Sequence, residues 1–374
     1  MSLAKDLEVR LRGLVLRLMR RLVKRSRAVP EGIDFNRCKF LFVRNDRIGD
    51  VLVSTPIIHV LKQHYPNAVI DFLLSTKNHF VLENEPLVRK RWVYNKRIAP
   101  TLRLTRAIRR ERYDFVVDLF DGTSTTSSVV CAVAGGRWTV GLAKENDFVY
   151  DITVRMLSRK DSHIVDRLAR LLDAFGIDSS KEDLSLKYRT SPASGSTVDA
   201  FFRNEHLDGG FVVGINISAG SNARFWGVQN FQDLIRRIEK DQPESRILLL
   251  CKQEDRARAV SISEPFDNVT LAPETQSFDL FAAFVQRLHL LITPDTSAVH
   301  LAVAFQVPSV VLYVQSNKEL GIWSPYRTES ETLVTDVDDL STISIDEVYC
   351  AVRRLLARIP WTLAEKRTKH ASRA

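Results

Sequence analysis

Lys39-Phe-Leu-Phe-Val43 is an apolar run behind a single lysine, and it passes straight into Arg44-Asn-Asp-Arg-Ile-Gly-Asp50, a polar loop with one glycine. A short apolar run that ends in turn residues reads as a buried strand, and the segment after it, near 50–64, carries helical spacing. The same succession keeps returning. Lys39–Val43, Ala68–Leu74, Trp92–Tyr94, Phe115–Leu119 and Trp138–Leu142 read as strands, with helical patterns near 50–64, 77–84, 98–112 and 123–134 between them. Strands that alternate with helices imply an α/β fold, a parallel sheet flanked by helices.

A further helical pattern near 161–176 ends at Gly176, a residue type that closes helices in the left-handed conformation. Tyr188-Arg-Thr-Ser-Pro-Ala-Ser-Gly-Ser196 then concentrates Ser, Pro and Gly, so a linker is expected over 188–205. Beyond it the alternation restarts. Phe211–Ile217, Arg246–Cys251, Asn268–Leu271, Leu288–Thr293 and Ser309–Val314 read as strands, and helices fall near 228–240, 254–263, 277–287 and 296–306. The expected organisation is a domain over 36–187, a second over 206–345, and a helix with a basic tail over 346–374. Two such units imply a bilobal molecule with a cleft, and open α/β sheets bind ligands beyond the C-terminal ends of their strands.

The 374 residues suit two domains, and 45% hydrophobic with 26% charged residues is a globular composition. No apolar stretch is long and uncharged enough to span a bilayer, and the N-terminus lacks the apolar core of a secretory signal. Cys38, Cys131, Cys251 and Cys350 lie far apart without a CxxC, which points away from zinc and from a disulfide framework and fits a reducing cytoplasm.

Charge is concentrated. Residues 1–30 hold nine Lys/Arg against Asp6 and Glu8, residues 351–374 hold seven against Glu365, and residues 89–112 hold ten against Glu111 alone. Each block invites an anionic partner. Over 3–28, Leu3, Leu7, Leu11, Leu14, Leu18 and Leu22 form one apolar stripe opposite mostly cationic residues, with Leu16, Met19 and Val23 off it. Such a helix suits an anionic membrane surface; packing on its own domain or on a second subunit is the alternative.

Four segments carry candidate chemistry. Asp50 stands at the opening of a helix after the first strand, where it can cap the helix or accept a proton from an attacking hydroxyl. Gly214-Ile-Asn-Ile-Ser-Ala-Gly-Ser-Asn-Ala-Arg-Phe-Trp226 runs a strand into small residues, Ser218, Gly220 and Ser221, then Arg224, a group able to clamp a phosphate. Pro294-Asp-Thr-Ser-Ala-Val-His300 puts Asp295, Thr296 and Ser297 at a helix start whose free amides suit a diphosphate; His300 lies a turn inside, to reach ligand or to pack. Glu254 and Asp255 follow a strand, as ribose-binding acids do and as solvated first-turn carboxylates do.

Ile48-Gly-Asp50, Ser218-Ala-Gly-Ser221 with Arg224 and Trp226, His163-Ile-Val-Asp-Arg-Leu168, and Asp295-Thr-Ser-Ala-Val-His-Leu-Ala302 together resemble glycosyltransferase family 9, the ADP-heptose:lipopolysaccharide heptosyltransferases. The resemblance runs from about Lys39 to Tyr326. It implies the GT-B fold of two Rossmann-like domains and an inverting transfer that needs no metal or other cofactor. It matches Asp50 to the general base, Arg224 to a phosphate contact, Glu254 to the ribose-binding acid with Asp255 close behind, and Asp295, Thr296, Ser297 and His300 to the donor motif. Ser297 stands where the family has Gly, Arg224 where it has Lys, Gly227 where Pro often follows the Trp, and Val314-Gln-Ser-Asn317 where Gly-Pro-Thr is usual.

The implied partners are a nucleotide sugar and an anionic lipid-linked glycan, gripped by Arg97, Arg103, Arg106 and Arg110 or by none of them if that helix face is merely solvated. Residues 1–30 are expected at the cytoplasmic face of the inner membrane. No aromatic-interleaved basic motif points to nucleic acid. A related transferase with another sugar or a protein acceptor, and a non-catalytic lipid-binding relative, are the alternatives.

Overall fold

The computed structural model describes residues 13–21, 23, 32–95, 97–314 and 320–359. Most of the expected N-terminal helix, Lys96, the turn at 315–317 and the tail at 360–374 lie outside these. The chain divides into two compact units, Met1–Leu186 and Lys187–Ala374.

In the first unit, α1 covers residues 13–21. There follow β1 (Lys39–Val43), α2 (Ile48–Leu52), α3 (Thr55–His64), β2 (Val69–Ser75), β3 (Lys90–Tyr94), α4 (Ile98–Glu111) and β4 (Phe115–Asp118). α5 (Thr125–Val133), β5 (Trp138–Leu142), β6 (Ile152–Val154) and α6 (Ile164–Ala169) complete it. The six strands form one sheet in the order β3-β2-β1-β4-β5-β6, and every pairing is parallel. Phe40, Leu41 and Phe42 are all fully buried, the continuous burial that a sheet covered on both faces demands. Phe40 stacks on Phe115 at 5.3 Å, and Phe175 stands edge-on to Phe40 at 5.1 Å.

The second unit runs through α7 (Pro192–Asn204), β7 (Phe211–Asn216), α8 (Val228–Asp241), β8 (Ser245–Leu250), α9 (Arg256–Ser263), β9 (Val269–Leu271) and α10 (Phe278–Gln286). It continues with β10 (Leu290–Pro294), α11 (Ser297–Ala304), β11 (Ser309–Tyr313), α12 (Leu320–Trp323), β12 (Ser330–Val334) and α13 (Ile345–Arg358). Its order, β12-β11-β10-β7-β8-β9, repeats that of the first sheet, all parallel. Each sheet reverses direction of growth beside its first strand, between β1 and β4 and between β7 and β10. Those two switch points are where such sheets take ligands.

Several expectations need correction. The single helix over 50–64 is two, because Pro56 lacks an amide donor and restricts the residue before it; α3 starts there. The helix near 77–84 is only a 3-10 turn, His79–Leu82. Most of the expected linker over 188–205 is α7. Its Ser and Pro are start signals: Ser191 caps the helix by accepting from Ser194 N, and Pro192 takes the first position. α7 then packs on α10, with Phe201 edge-on to Phe284 at 5.3 Å. α13 is no appendage either, since Val348, Ala351, Val352 and Leu355 are buried in the core of the second unit. β6 and β12 were not expected; both are edge strands with broken burial patterns.

α1 meets the protein through an off-stripe residue. Met19 packs on the core of the first unit and Arg20 lies 5.9 Å from the Phe148 ring. Leu14 and Leu18, from the leucine stripe, are 59% and 56% exposed.

Candidate functional site

At the first switch point, Arg44 follows β1 and is 1% exposed. Its Nε donates to Asp50 O at 3.0 Å, its Nη2 to Asp50 Oδ1 at 3.1 Å, and its Nη1 to Leu119 O beyond β4. Nη1 also lies 3.4 Å from Asp46 Oδ2, and the guanidinium covers the Phe120 ring at 5.4 Å. One arginine thus spans the crevice between β1 and β4 and holds two carboxylates in place. Buried Asn78 fixes the arginine in turn, donating to Arg44 O at 3.1 Å.

Asp50 does not occupy the cap position of α2; Arg47 does. Asp50 is the third helical residue, and its Oδ2 accepts from Arg47 N at 3.2 Å. One carboxylate oxygen serves the helix start and the other serves Arg44, while the side chain keeps 12% of its surface open. A carboxylate so oriented and still accessible can take a hydroxyl proton.

The exit of β4 is pinned from below. Asp118 accepts from Ser127 Oγ at 3.0 Å and Lys144 Nζ at 3.1 Å, and from the Tyr150 hydroxyl. Burial, then the Asp118 charge, hold that phenol far above its ordinary pKa. Arg167, from the His163–Leu168 segment, is fully buried and donates to Asp121 Oδ1 at 2.8 Å. The motif's arginine therefore fixes the loop after β4.

The basic stretch 89–112 divides in two. Arg89 is tied to Asp71 and Glu111, Lys90 to Glu111, and Arg91 donates to Leu82 O, all structural bonds. Arg97, just before α4, and Arg103, Arg106 and Arg110 on it are exposed and make no ion pair with the described residues. Leu102 beside them is 56% exposed.

At the second switch point the loop after β7 meets the start of α11. Buried Asn216 donates to Thr293 Oγ1 at 2.9 Å and accepts from Ser218 N at 3.2 Å. Arg224 Nη1 donates to Asp295 O at 3.3 Å and keeps a third of its side chain open. Thr296, not Asp295, caps α11, with Oγ1 accepting from Ala298 N at 3.3 Å. Its first amides and Ser297 lie at the end of β10, where an anion is favoured.

Ser218 has a narrower part than expected. Its hydroxyl donates to Asp255 Oδ2 at 2.6 Å and accepts from Lys252 N at 2.8 Å, stitching the β7 loop to the exit of β8. Asp255 also takes Arg258 Nη1 at 3.1 Å. That commits Asp255, whereas the neighbouring Glu254 is exposed. Gly220 and Ser221 are exposed, with nothing within 4 Å of the place of a Gly220 Cβ. Trp226 is a core anchor, donating to Ile343 O at 2.8 Å. Gly227 follows with φ +112°, a conformation closed to proline. His300 is 7% exposed and edge-on to Trp323 at 6.1 Å, a packed position.

Residue-by-residue reading of the sequence did not single out Arg44, Asp46 or Asn216. Polar residues at or just beyond the ends of otherwise apolar strands were the available signal.

Two Rossmann-like units of equal strand order, each with polar residues gathered at its switch point, make up the GT-B class of fold. Within that class the chain belongs to glycosyltransferase family 9 (heptosyltransferase), whose family model matches residues 101–344. It is 25% identical to lipopolysaccharide heptosyltransferase 3 of Escherichia coli strain K12, over 74% of this chain and 82% of that one. The crystal structure of a family 9 glycosyltransferase from Veillonella parvula superposes with a TM-score of 0.75 at 20% identity, covering 87% of this chain and 99% of that one. E. coli heptosyltransferase WaaC with ADP-2-deoxy-2-fluoro heptose gives 0.68 at 16% identity, over 84% and 99%. Among the described residues no three His, Cys, Asp or Glu side chains converge as metal ligands would.

Proposed function

We propose that this glycosyltransferase moves a heptose from ADP-heptose to the inner core of lipopolysaccharide, inverting the anomeric centre without a metal. The observation that carries the reading is the pairing, at the second switch point, of partly open Arg224 with the N-terminus of α11. Both favour the charge that gathers on a departing diphosphate. Glu254 takes the ribose hydroxyls, and the amides of Gly220 and Ser221 approach the phosphates.

In the transfer, an acceptor hydroxyl attacks the anomeric carbon as its bond to the diphosphate oxygen breaks. The proton passes to Asp50 and the bonding pair leaves with ADP. Arg97, Arg103, Arg106 and Arg110 grip the anionic acceptor. Residues 1–30 hold the enzyme against the anionic cytoplasmic face of the inner membrane, a reading supported by the outward Leu14 and Leu18. Incubation with ADP-heptose, or with other sugar nucleotides, and a panel of truncated lipopolysaccharides and proteins, followed by mass, tests it. A heptose added to a core-deficient lipopolysaccharide is the expected result. Transfer only from another nucleotide sugar, or only to protein, overturns it.

A further inference from the structure

Asp46 lies in the loop between β1 and α2, and it is the second carboxylate held by Arg44. Arg44 Nη1 stands 3.4 Å from Asp46 Oδ2 while Nη2 stands 3.1 Å from Asp50 Oδ1. Asp46 Oδ1 is buried and has no hydrogen-bond partner among the described residues. One buried cation therefore faces two carboxylates, and one of these has an oxygen that nothing solvates. Such an oxygen penalises the charged form of its group.

We propose that Asp46 is a positioning residue for Asp50: by carrying or releasing a proton, it sets how much of the Arg44 guanidinium is committed to Asp50. The inference rests on Asp50 being the base of the proposed transfer. With Asp46 neutral, Arg44 serves Asp50 alone and steadies its negative charge. With Asp46 ionised, the same cation is divided between two anions, and Arg44 holds the Asp50 carboxylate less firmly.

The change falls near neutral pH. Burial pushes the Asp46 carboxyl up, Arg44 pulls it down, the Asp50 charge pushes it up again, the backbone amides of Asp46 and Arg47 pull it down a little, and the result is about 7. Other charged groups lie on the elements around it. Arg47 is next to it in the same loop; Lys77 precedes, His79 opens and Glu83 closes the 3-10 turn against which α2 packs; Asp118, Asp121 and Lys144 surround the exit of β4. Arg44 and Asp50 are the charges that act on it most strongly.

The test is turnover of ADP-heptose with a heptose-deficient lipopolysaccharide, both saturating, from about pH 5.5 to about 8.5. The native enzyme is expected to gain roughly threefold to tenfold as pH passes 7, a modest share of the worth of a general base, as the base is repositioned rather than lost. Asp46→Asn, fixed in the neutral state, should turn over and lack that rise. A variant profile that superposes on the native one overturns the proposal.

A second arm needs no substrate. In carboxyl-labelled protein, the aspartate resonance that Asp46→Asn removes should titrate near neutral pH and move to lower pH in Asp50→Asn, which lacks the neighbouring charge. An unmoved midpoint overturns the coupling. Near-normal turnover of Asp50→Asn would instead overturn the base assignment, a result separate from this titration.

Discussion

Asn216 Nδ2 donates to Thr293 Oγ1 across 2.9 Å, joining the C-terminal ends of β7 and β10 at the point where the second sheet reverses its order. The same amide group reaches Ser218 O at 3.3 Å and accepts from Ser218 N at 3.2 Å. One buried side chain thereby sets the distance between the two loops that carry Arg224 and Thr296. Arg44 does the corresponding work in the first unit, between Asp50 and Leu119 O.

Asn216→Leu keeps the bulk and removes the bonds, leaving Ser218 N without its acceptor. The expected cost is about 1–3 kcal/mol of stability, together with weaker ADP binding, because both loops lose their common strut. Urea unfolding and calorimetric titration with ADP measure the two effects. A destabilised variant with native ADP affinity would confine Asn216 to the fold.

Arg224→Ala should weaken ADP binding roughly tenfold to a hundredfold, the scale of a charge-assisted hydrogen bond to phosphate. Adenosine affinity should change little. Arg224→Lys should restore part of the loss, since an ammonium supplies charge without the two-pronged geometry. Equal losses for ADP and adenosine would show that Arg224 matters to the loop and not to phosphate.

Asp50→Asn retains size and can still accept from Arg47 N, so α2 should form. Turnover is expected to fall about 10²–10⁴-fold, the usual worth of a general base, with ADP affinity near native. Single-turnover measurements with bound donor give the number directly, and a loss smaller than threefold would reduce Asp50 to a helix-start residue.

Asp46 makes a prediction about stability whose sign runs against intuition. Its carboxyl is raised from 3.8 to about 7 in the folded chain. Below about pH 4 both states hold the proton and nothing is lost. Between about 4 and 7 the unfolded chain releases it first, so the native state loses ground, and above 7 the loss is constant. Asp46→Asn should therefore stabilise the protein, by up to a few kcal/mol at pH 8 and by little near pH 4. Urea unfolding at both pH values decides; a variant less stable than native at pH 8 contradicts the raised carboxyl.

The alternation of apolar runs and helical spacing made both sheets legible, because strands buried on two faces must be apolar throughout. Edge strands escaped: β12, Ser330–Val334, is exposed at alternate positions and looks like polar loop. The stretch at 188–205 misled because Ser, Pro and Gly mark both linkers and helix starts, and only burial of Val198 and Phe202 separates the two. The segment at 295–300 was legible as polar residues between a strand end and a helix start. Arg44, Asp46 and Asn216 were not, since their roles come from partners such as Leu119 and Thr293, more than seventy positions away for Arg44 and Asn216.

The N-terminal leucines offer a test that leaves the core alone. In α1, Met19 faces the first unit, whereas Leu14 and Leu18 are more than half exposed and have basic neighbours in Arg17, Arg20 and Arg21. Exposed leucine on a cationic helix suits an anionic bilayer, where each basic residue adds about 1 kcal/mol of attraction that salt screens. Leu14→Ser with Leu18→Ser removes that apolar contact and keeps both the charge and the Met19 anchor. Native protein should sediment with anionic vesicles at low salt, release at high salt, and ignore neutral vesicles. The double variant should bind anionic vesicles about tenfold or more weakly, given the apolar area lost, while unfolding at the native urea concentration. It should also turn over a soluble, delipidated acceptor at the native rate. Met19→Ser gives the contrast, because it loosens the helix from the protein and should lower stability without removing the leucines. Unchanged vesicle binding in the double variant, or a fall in its stability equal to that of Met19→Ser, would mean that the stripe packs on protein and that the membrane reading is wrong.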